Sequence, residues 1–146
     1  MEKRVNFKEE GAMSVEANKK LVSAFYEAIG GEDYDALHKF CHEDFVFYPQ
    51  INTPFPGVEG LVESEKKNFD AFSDFTFAIN ELIAEKDLVA AYMEFMGTHT
   101  GTFCGIEPTY KKVHFSLMMF LRIKDSKIIE KRSHVDVNDV ITQLKK

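Results

Sequence analysis

The stretch from Leu88 to Val137 constrains the fold more than any other, because it has the pattern of three consecutive β-strands. Gly105 and Pro108 mark the turn after the first strand, since glycine permits positive φ and proline lacks the N–H donor. Residues 112–123 then form an almost continuous apolar run, and residues 128–137 return after a short polar turn. Short connections between strands predict an antiparallel meander, and the rest of the chain must cover one of its faces.

The other segments supply that cover with alternating helical and strand patterns. Apolar residues at three- and four-residue spacing predict an amphipathic helix over residues 17–29. Further helices are predicted at residues 34–41, 61–72 and 140–145, and further strands at residues 45–48 and 75–83. Helices followed by a run of strands indicate an α+β domain.

Length and charge limit the domain organisation and the partners. Residues 14–146 are expected to form a single domain, whereas residues 1–13 are charged, lack amphipathic periodicity and predict a disordered or loosely ordered extension. The net charge of −6 argues against a nucleic-acid partner. No apolar run approaches a membrane span and the N-terminus lacks a signal-peptide core, so no membrane partner is expected. Cysteine is present only twice, which favours a reduced, cytoplasmic protein.

Five short motifs carry a resemblance to a known family. They are NKKLVSAFYEAIGG at residues 18–31, PGVEG at 56–60, AFSDF at 71–75, GTHTG at 97–101 and GIEPT at 105–109. In this order they resemble the SnoaL-like polyketide cyclases and ester cyclases, over about residues 16–144. The resemblance implies the nuclear transport factor 2-like fold. That fold is a cone-shaped, curved antiparallel sheet packed on three N-terminal helices, with a pocket between them.

The resemblance also implies where pocket residues should lie. Characterised cyclases of this family use a histidine and, two residues later, an aspartate as general acid/base. Counted without gaps, these positions hold Lys131 and Ser133 in this chain, and other polar pocket positions hold Phe47, Leu117 and Met119. The chain therefore lacks the residues that the cyclase chemistry would need. We expect these five residues to line a pocket for a small hydrophobic ligand instead.

A replacement pair, His134 and Asp136, is the candidate for catalysis. Two residues apart on a strand, they would project to one face, where a carboxylate can tune an imidazole for proton transfer. A three-residue bulge would even bring them onto the cyclase motif itself. The alternative is a solvated polar row that also contains Glu130 and Arg132. Lys131 would then lie on the apolar side, either with a partner or a lowered pKa, or as a carbonyl-binding lysine.

The remaining histidines give weaker indications. His99 either reaches the mouth of the pocket or makes cross-strand hydrogen bonds. His38 and His42 are four residues apart in a predicted helix, but zinc would need further ligands and the His-Glu-x-x-His pattern is absent, so we expect neither metal nor cofactor.

Two function hypotheses follow from these residues. The first is a SnoaL-like protein with a hydrophobic small-molecule pocket. The alternative is a cyclase- or isomerase-like enzyme that uses His134 and Asp136 for general acid/base chemistry on a small hydrophobic carbonyl compound. A homodimer is expected under both, because of the family resemblance and because three short helices are too few to cover so apolar a meander.

Overall fold

A computed structural model describes residues 2–146 of the chain, and its side chains from residue 15 onwards. The predicted loose order of residues 1–13 concerns a stretch whose side chains lie outside the described residues, and it stays a prediction. In chain order the elements are α1 Glu2–Gly30, a 3-10 turn Tyr34–Ala36, α2 Leu37–Phe40, β1 Cys41–Tyr48, β2 Phe55–Pro56, α3 Gly57–Phe69, β3 Phe72–Glu85, β4 Leu88–His99, β5 Lys112–Lys124, β6 Lys127–Val135 and α4 Val137–Lys145. This order confirms the α+β class. Among residues 2–146, every helix is too short or too polar to cross a membrane.

The six strands form one sheet in the order β2-β1-β6-β5-β4-β3. The predicted meander is present, since each strand from β3 to β6 pairs antiparallel with the next strand along the chain. One pairing differs from the expected antiparallel sheet, because β1 runs parallel to β6. These two strands are joined through α3 and the whole meander, and only such a long crossover lets neighbouring strands run parallel. Register shifts in β1 and β3 mark bulges that bend the sheet.

The hairpin between β5 and β6 and a bulge just after it fix which side chains of β6 face inward. Asp125 and Ser126 both have positive φ, 52° and 63°, as a two-residue type I′ turn requires. The register then shifts by one residue, because Ile123 pairs with Ile128 but Arg122 pairs with Glu130, and the shift places Leu121 opposite Lys131 and Met119 opposite Ser133. Directly opposite residues of an antiparallel pair share a face, so Lys131 and Ser133 face the core.

Helix α1 covers β3 with one apolar stripe. Val22, Phe25, Tyr26 and Ile29 are all buried, at the three- and four-residue spacing that one helix face requires. The stripe matches the helix predicted at residues 17–29. Burying it against the sheet closes the core on one side.

Two element boundaries differ from the prediction. Helix α3 is Gly57–Phe69 rather than residues 61–72, because Gly57, at φ 84°, lets the chain turn from β2 directly into the helix. Cys41 belongs to β1, not to the preceding helix, which ends at Phe40. His38 and His42 therefore lie on different elements and do not share a helix face.

Helix α4 closes the open end of the sheet. Its N-cap is Asp136, whose carboxylate accepts a hydrogen bond from the Asp139 amide at 3.1 Å. Val140 and Leu144 are buried beneath the helix. The Gln143 amide group donates to the His114 carbonyl and accepts from the His114 N–H, both at 2.8 Å, which fixes α4 on β5.

Candidate functional site

A cavity of about 490 Å³ lies between α3, α4 and the inner face of the sheet. Its volume falls in the range of small-molecule sites, roughly 300–1,000 Å³. Seven of the twenty residues that line it are phenylalanines: Phe47, Phe69, Phe72, Phe77, Phe95, Phe103 and Phe115. The polar residues of the wall come mainly from α3 and β6: Gln50, Ser64, Glu65, Asn68, Cys104, Ser133 and His134.

Three of these rings are stacked on one another. Phe69 and Phe95 have centroids 6.2 Å apart and planes 5° from parallel, and Phe95 and Phe115 have centroids 5.1 Å apart and planes 25° from parallel. These rings come from α3, β4 and β5, so three separate elements hold the stack. Aromatic side chains of this kind suit an apolar ligand.

Four of the residues predicted to bind a ligand line this cavity. Phe47, Leu117, Met119 and Ser133 all contribute to its wall. The sheet explains the grouping, because inward side chains alternate along β5 and the register adds Ser133 beside Met119. Their role in binding stays a prediction, but the structure brings them to one place.

Lys131 is the polar residue directly behind that wall. It is only 1% exposed, and its ammonium nitrogen lies 4.2 Å from the centroid of Phe47 and 3.9 Å from the sulfur of Met119. Its charged partner is Glu65, whose Oε1 is 4.0 Å from Lys131 Nζ. Burial lowers the pKa of Lys131, and the nearby Glu65 carboxylate opposes that change.

Glu65 is the functional candidate that sequence reasoning missed. It occupies one position of the buried α3 stripe formed by Val58, Leu61, Glu65 and Phe69. Burial raises the pKa of the Glu65 carboxyl, and the charge of Lys131 opposes the rise. The sequence signal for this residue is an acidic side chain at three- and four-residue spacing among apolar ones. Charged residues are rarely buried without a partner, so such a position indicates a buried ion pair.

Two further ionisable groups lie close to this ion pair. Tyr26 presents its ring 5.7 Å from Lys131 Nζ, and burial raises the pKa of its phenol well above the ordinary value. The Tyr26 hydroxyl has no hydrogen-bond partner among the described residues. Burial also raises the pKa of the Cys41 thiol to about 12, which keeps it protonated and unreactive.

His134 and Asp136 do not form the predicted pair in the cavity. His134 is paired with the exposed Met118, so its side chain shares the outer face of the sheet even though the chain at this residue borders the cavity. Strand β6 ends at Val135, and Asp136 instead caps α4 and does not line the cavity. The expectation of one shared face was wrong because it assumed that the strand continued through Asp136.

The other histidines also serve local structure. His99 is fully buried and does not line the cavity; its Nδ1 accepts a hydrogen bond from the Thr109 amide at 3.1 Å and lies 3.0 Å from the Thr109 hydroxyl. His38 lies 3.8 Å from a Glu59 oxygen, and His42 lies 3.6 Å from one of Asp125. In the part of the chain that the structure describes, no group of three or more potential metal ligands converges.

The family model for the SnoaL-like polyketide cyclases matches residues 19–144 of the chain. The chain belongs to this family. Its nuclear transport factor 2-like fold is shared by a candidate SnoaL-like polyketide cyclase from Jannaschia sp. CCS1, with a TM-score of 0.81 at 20% identity over 88% of this chain and 91% of that one. No curated protein matches this SnoaL-like chain in sequence.

Two other solved structures illustrate the range of activities named for this fold. The candidate hydroxylase AclR from Streptomyces galilaeus has a TM-score of 0.79 and 24% identity, covering 90% of this chain and 97% of its own. An LEH-like epoxide hydrolase from M. tuberculosis has a TM-score of 0.69 and 18% identity, covering 90% and 87%. Sequence identities this low show a shared fold only and do not assign a function to this chain.

Proposed function

We propose that this SnoaL-like protein binds a small, predominantly apolar molecule in the cavity between α3 and the sheet. The observation that carries the proposal is the wall itself, in which seven phenylalanines, Leu117 and Met119 outnumber the polar residues. Binding sites for small molecules commonly combine such an apolar lining with a few placed polar groups. Here Ser133 and Glu65 provide those groups on two facing elements, β6 and α3.

The balance of free energies favours an apolar ligand with few oxygens. Apolar surface removed from water contributes roughly 25 cal/mol per Å² to binding. A ligand hydroxyl buried against the phenylalanine rings without a partner costs about 1–3 kcal/mol. A compound with one carbonyl or hydroxyl group can place that group beside Ser133 or Glu65. Each further hydroxyl that is buried against the phenylalanine rings has no hydrogen-bond partner there.

A cyclase-like or ester cyclase-like reaction through His134 and Asp136 receives less support. The imidazole of His134 is on the outer face of the sheet, and the carboxylate of Asp136 caps α4. Asp136 does not line the cavity, and His134 borders it at an outward-facing position of β6. Binding is therefore the proposed function, and any chemistry has to come from other residues.

The proposal is tested by thermal shift with 2-tetralone, a flat ketone with a single oxygen. Wild-type protein is expected to melt at a higher temperature in its presence, since a ligand that binds only the native state stabilises it. Leu117→Trp places an indole in the cavity and should abolish the shift. Lys124→Trp, on the exposed end of the same strand, is the matched control and should keep it. If Leu117→Trp shows the same increase in melting temperature as wild type, 2-tetralone does not bind in this cavity and the proposal is overturned.

We also propose that the protein is a homodimer and cytoplasmic. The outer face of the sheet exposes four large apolar side chains: Tyr92, Met96, Met118 and Phe120. Tyr92 pairs directly with Met118 across β4 and β5, so these side chains adjoin on one surface. A symmetric dimer would bury this surface of both copies and remove its apolar side chains from water. Cys41 and Cys104 are both free thiols, which suits a reducing compartment.

A further inference from the structure

We propose that Glu65 is the catalytic proton acceptor of this cavity, that Lys131 is its positioning residue, and that the substrate class is neutral apolar carbonyl compounds with an acidic C–H next to the carbonyl. The inference rests on the proposed function, because the substrate must first bind in the cavity. It replaces the acid/base roles that the sequence suggested for His134 and Asp136.

The location of Glu65 is the first support. Among the residues the structure describes, it is the only carboxylate that lines the cavity. Its side chain retains about a tenth of its exposure although the residue is buried, and the residue lines the cavity. A group that accepts a proton from a ligand has to combine this access with exclusion of bulk water.

The contacts of Glu65 leave its carboxylate available. Lys131 Nζ is 4.0 Å from Oε1, which is an ion pair but is longer than a hydrogen bond. Within the described residues no backbone or side-chain donor forms a hydrogen bond with this carboxylate. A purely structural buried carboxylate is normally satisfied by such donors. Glu65 is instead held by charge alone, and its oxygens are free for a ligand.

The environment of Lys131 explains why it positions Glu65 and does not itself react. Its ammonium group is enclosed by the Phe47 ring, the Met119 sulfur and Glu65. All three of these residues line the cavity. Lys131 does not line the cavity, so a ligand meets Glu65 first. Burial raises the pKa of the Glu65 carboxyl and the Lys131 charge opposes the rise, so this carboxylate binds a proton more tightly than a free glutamate does. The buried pair therefore presents a base of raised proton affinity inside an apolar space.

The reaction balances without a cofactor or co-reactant. The C–H bond next to the substrate carbonyl breaks, its proton passes to the Glu65 carboxylate, and the electron pair delocalises onto the carbonyl oxygen to form an enolate. Ser133 and Asn68 are among the neutral donors of the wall that can hydrogen-bond that oxygen. Glu65 then returns a proton to the same carbon, which gives exchange, or to a conjugated carbon, which gives isomerisation.

The test is the uptake of deuterium by 2-tetralone in D2O, followed by NMR at the carbons beside its carbonyl. Wild-type protein is expected to accelerate uptake above the buffer rate. In Glu65→Gln the protein-dependent rate should fall at least a hundredfold, while the dissociation constant of 2-tetralone changes by less than about fivefold. Asp136→Asn, which retains a capping side chain, should exchange like wild type.

A second pair of variants separates positioning from structure. Lys131→Met should move the pH–rate profile to higher pH, because Glu65 without the ammonium group loses its proton less readily. The ionisable groups that face the pair are Tyr26 from α1, Tyr34 from the 3-10 turn and Cys41 from β1, and the pKa of each is raised, so all three stay neutral through the pH range of the assay. The double variant Glu65→Gln with Lys131→Met removes both charges and should fold, bind and fail to exchange.

The outcomes distinguish the two proposals. If 2-tetralone fails to bind wild-type protein, the proposed function falls and the inference with it. If 2-tetralone binds but wild-type protein does not accelerate exchange, or Glu65→Gln exchanges as fast as wild type, only the inference is overturned. An unmoved pH profile in Lys131→Met would overturn the positioning role of Lys131.

Discussion

Replacing Lys131 with methionine gives the sharpest test of the buried ion pair. Methionine retains most of the volume of the lysine stem but removes the ammonium nitrogen that lies beside the Phe47 ring and the Met119 sulfur, so the charge is lost with little change in packing. Glu65 then remains in the core without a counter-charge. Both partners are buried, at 1% exposure for Lys131 and 7% for Glu65, so water compensates little. Removing one partner of such a pair lowers the free energy of unfolding by about 3–5 kcal/mol.

The loss of stability in Lys131→Met should depend on pH, and the protonation of Glu65 determines whether the loss grows or shrinks as the pH rises. Burial raises the pKa of this carboxyl in the folded state above its ordinary value of 4.5, and removing Lys131 raises it further. A folded-state pKa above the unfolded one means that stability is greatest below pH 4.5 and is lost as pH rises to the folded pKa. The deficit of Lys131→Met relative to wild type should therefore be small near pH 4.5 and should grow as the pH rises toward the folded-state pKa of Glu65.

Urea unfolding at a series of pH values measures this deficit. The double variant Glu65→Gln with Lys131→Met is the matched control, because it leaves no buried charge and should recover most of the loss. The m-value should stay the same in all variants, since the surface exposed on unfolding does not change. A deficit that is equal at every pH, or a double variant as unstable as Lys131→Met, would refute a charged pair in the core.

Two further predictions concern the closing helix and the outer face. Asp136→Ala removes the N-cap of α4 and should lower the free energy of unfolding by about 1 kcal/mol, whereas Asp136→Asn should change it by only a few tenths; equal losses in the two variants would show that Asp136 acts otherwise. Met118→Glu places a charge in the exposed apolar surface and should convert a dimer into a monomer in light scattering, while Lys124→Glu should not. A wild-type monomer at micromolar concentration would contradict the proposed dimer.

The meander and its two faces could be predicted from sequence because they depend on local patterns. Residues 112–123 and 128–137 gave strands, a short polar turn joined them, and side chains alternate along a strand. From this alternation Lys131 and Ser133 were expected on the apolar side, and the structure has them there. The parallel pairing of β1 with β6 was not predictable in this way, because it joins distant parts of the chain.

The candidate site was only partly predictable, for two physical reasons. The end of β6 at Val135 depends on Asp136 capping α4, and this one interaction removes Asp136 from the face of His134. The partner of Lys131 is Glu65, which is 66 positions away in sequence and reaches it only when α3 packs over the sheet. A lysine at a predicted core position indicates that a charged or polar partner is present, but the pattern does not indicate which residue that partner is.

The most direct test of the apolar cavity compares two matched ligands, 2-tetralone and 6,7-dihydroxy-2-tetralone, by calorimetric titration of wild-type protein. Both have the same ring system and ketone, so they differ only in two hydroxyls that the phenylalanine wall cannot pair. At about 1–3 kcal/mol for each unpaired group, 2-tetralone should bind more tightly by roughly tenfold or more. Equal or tighter binding of the dihydroxylated compound would contradict the proposed function.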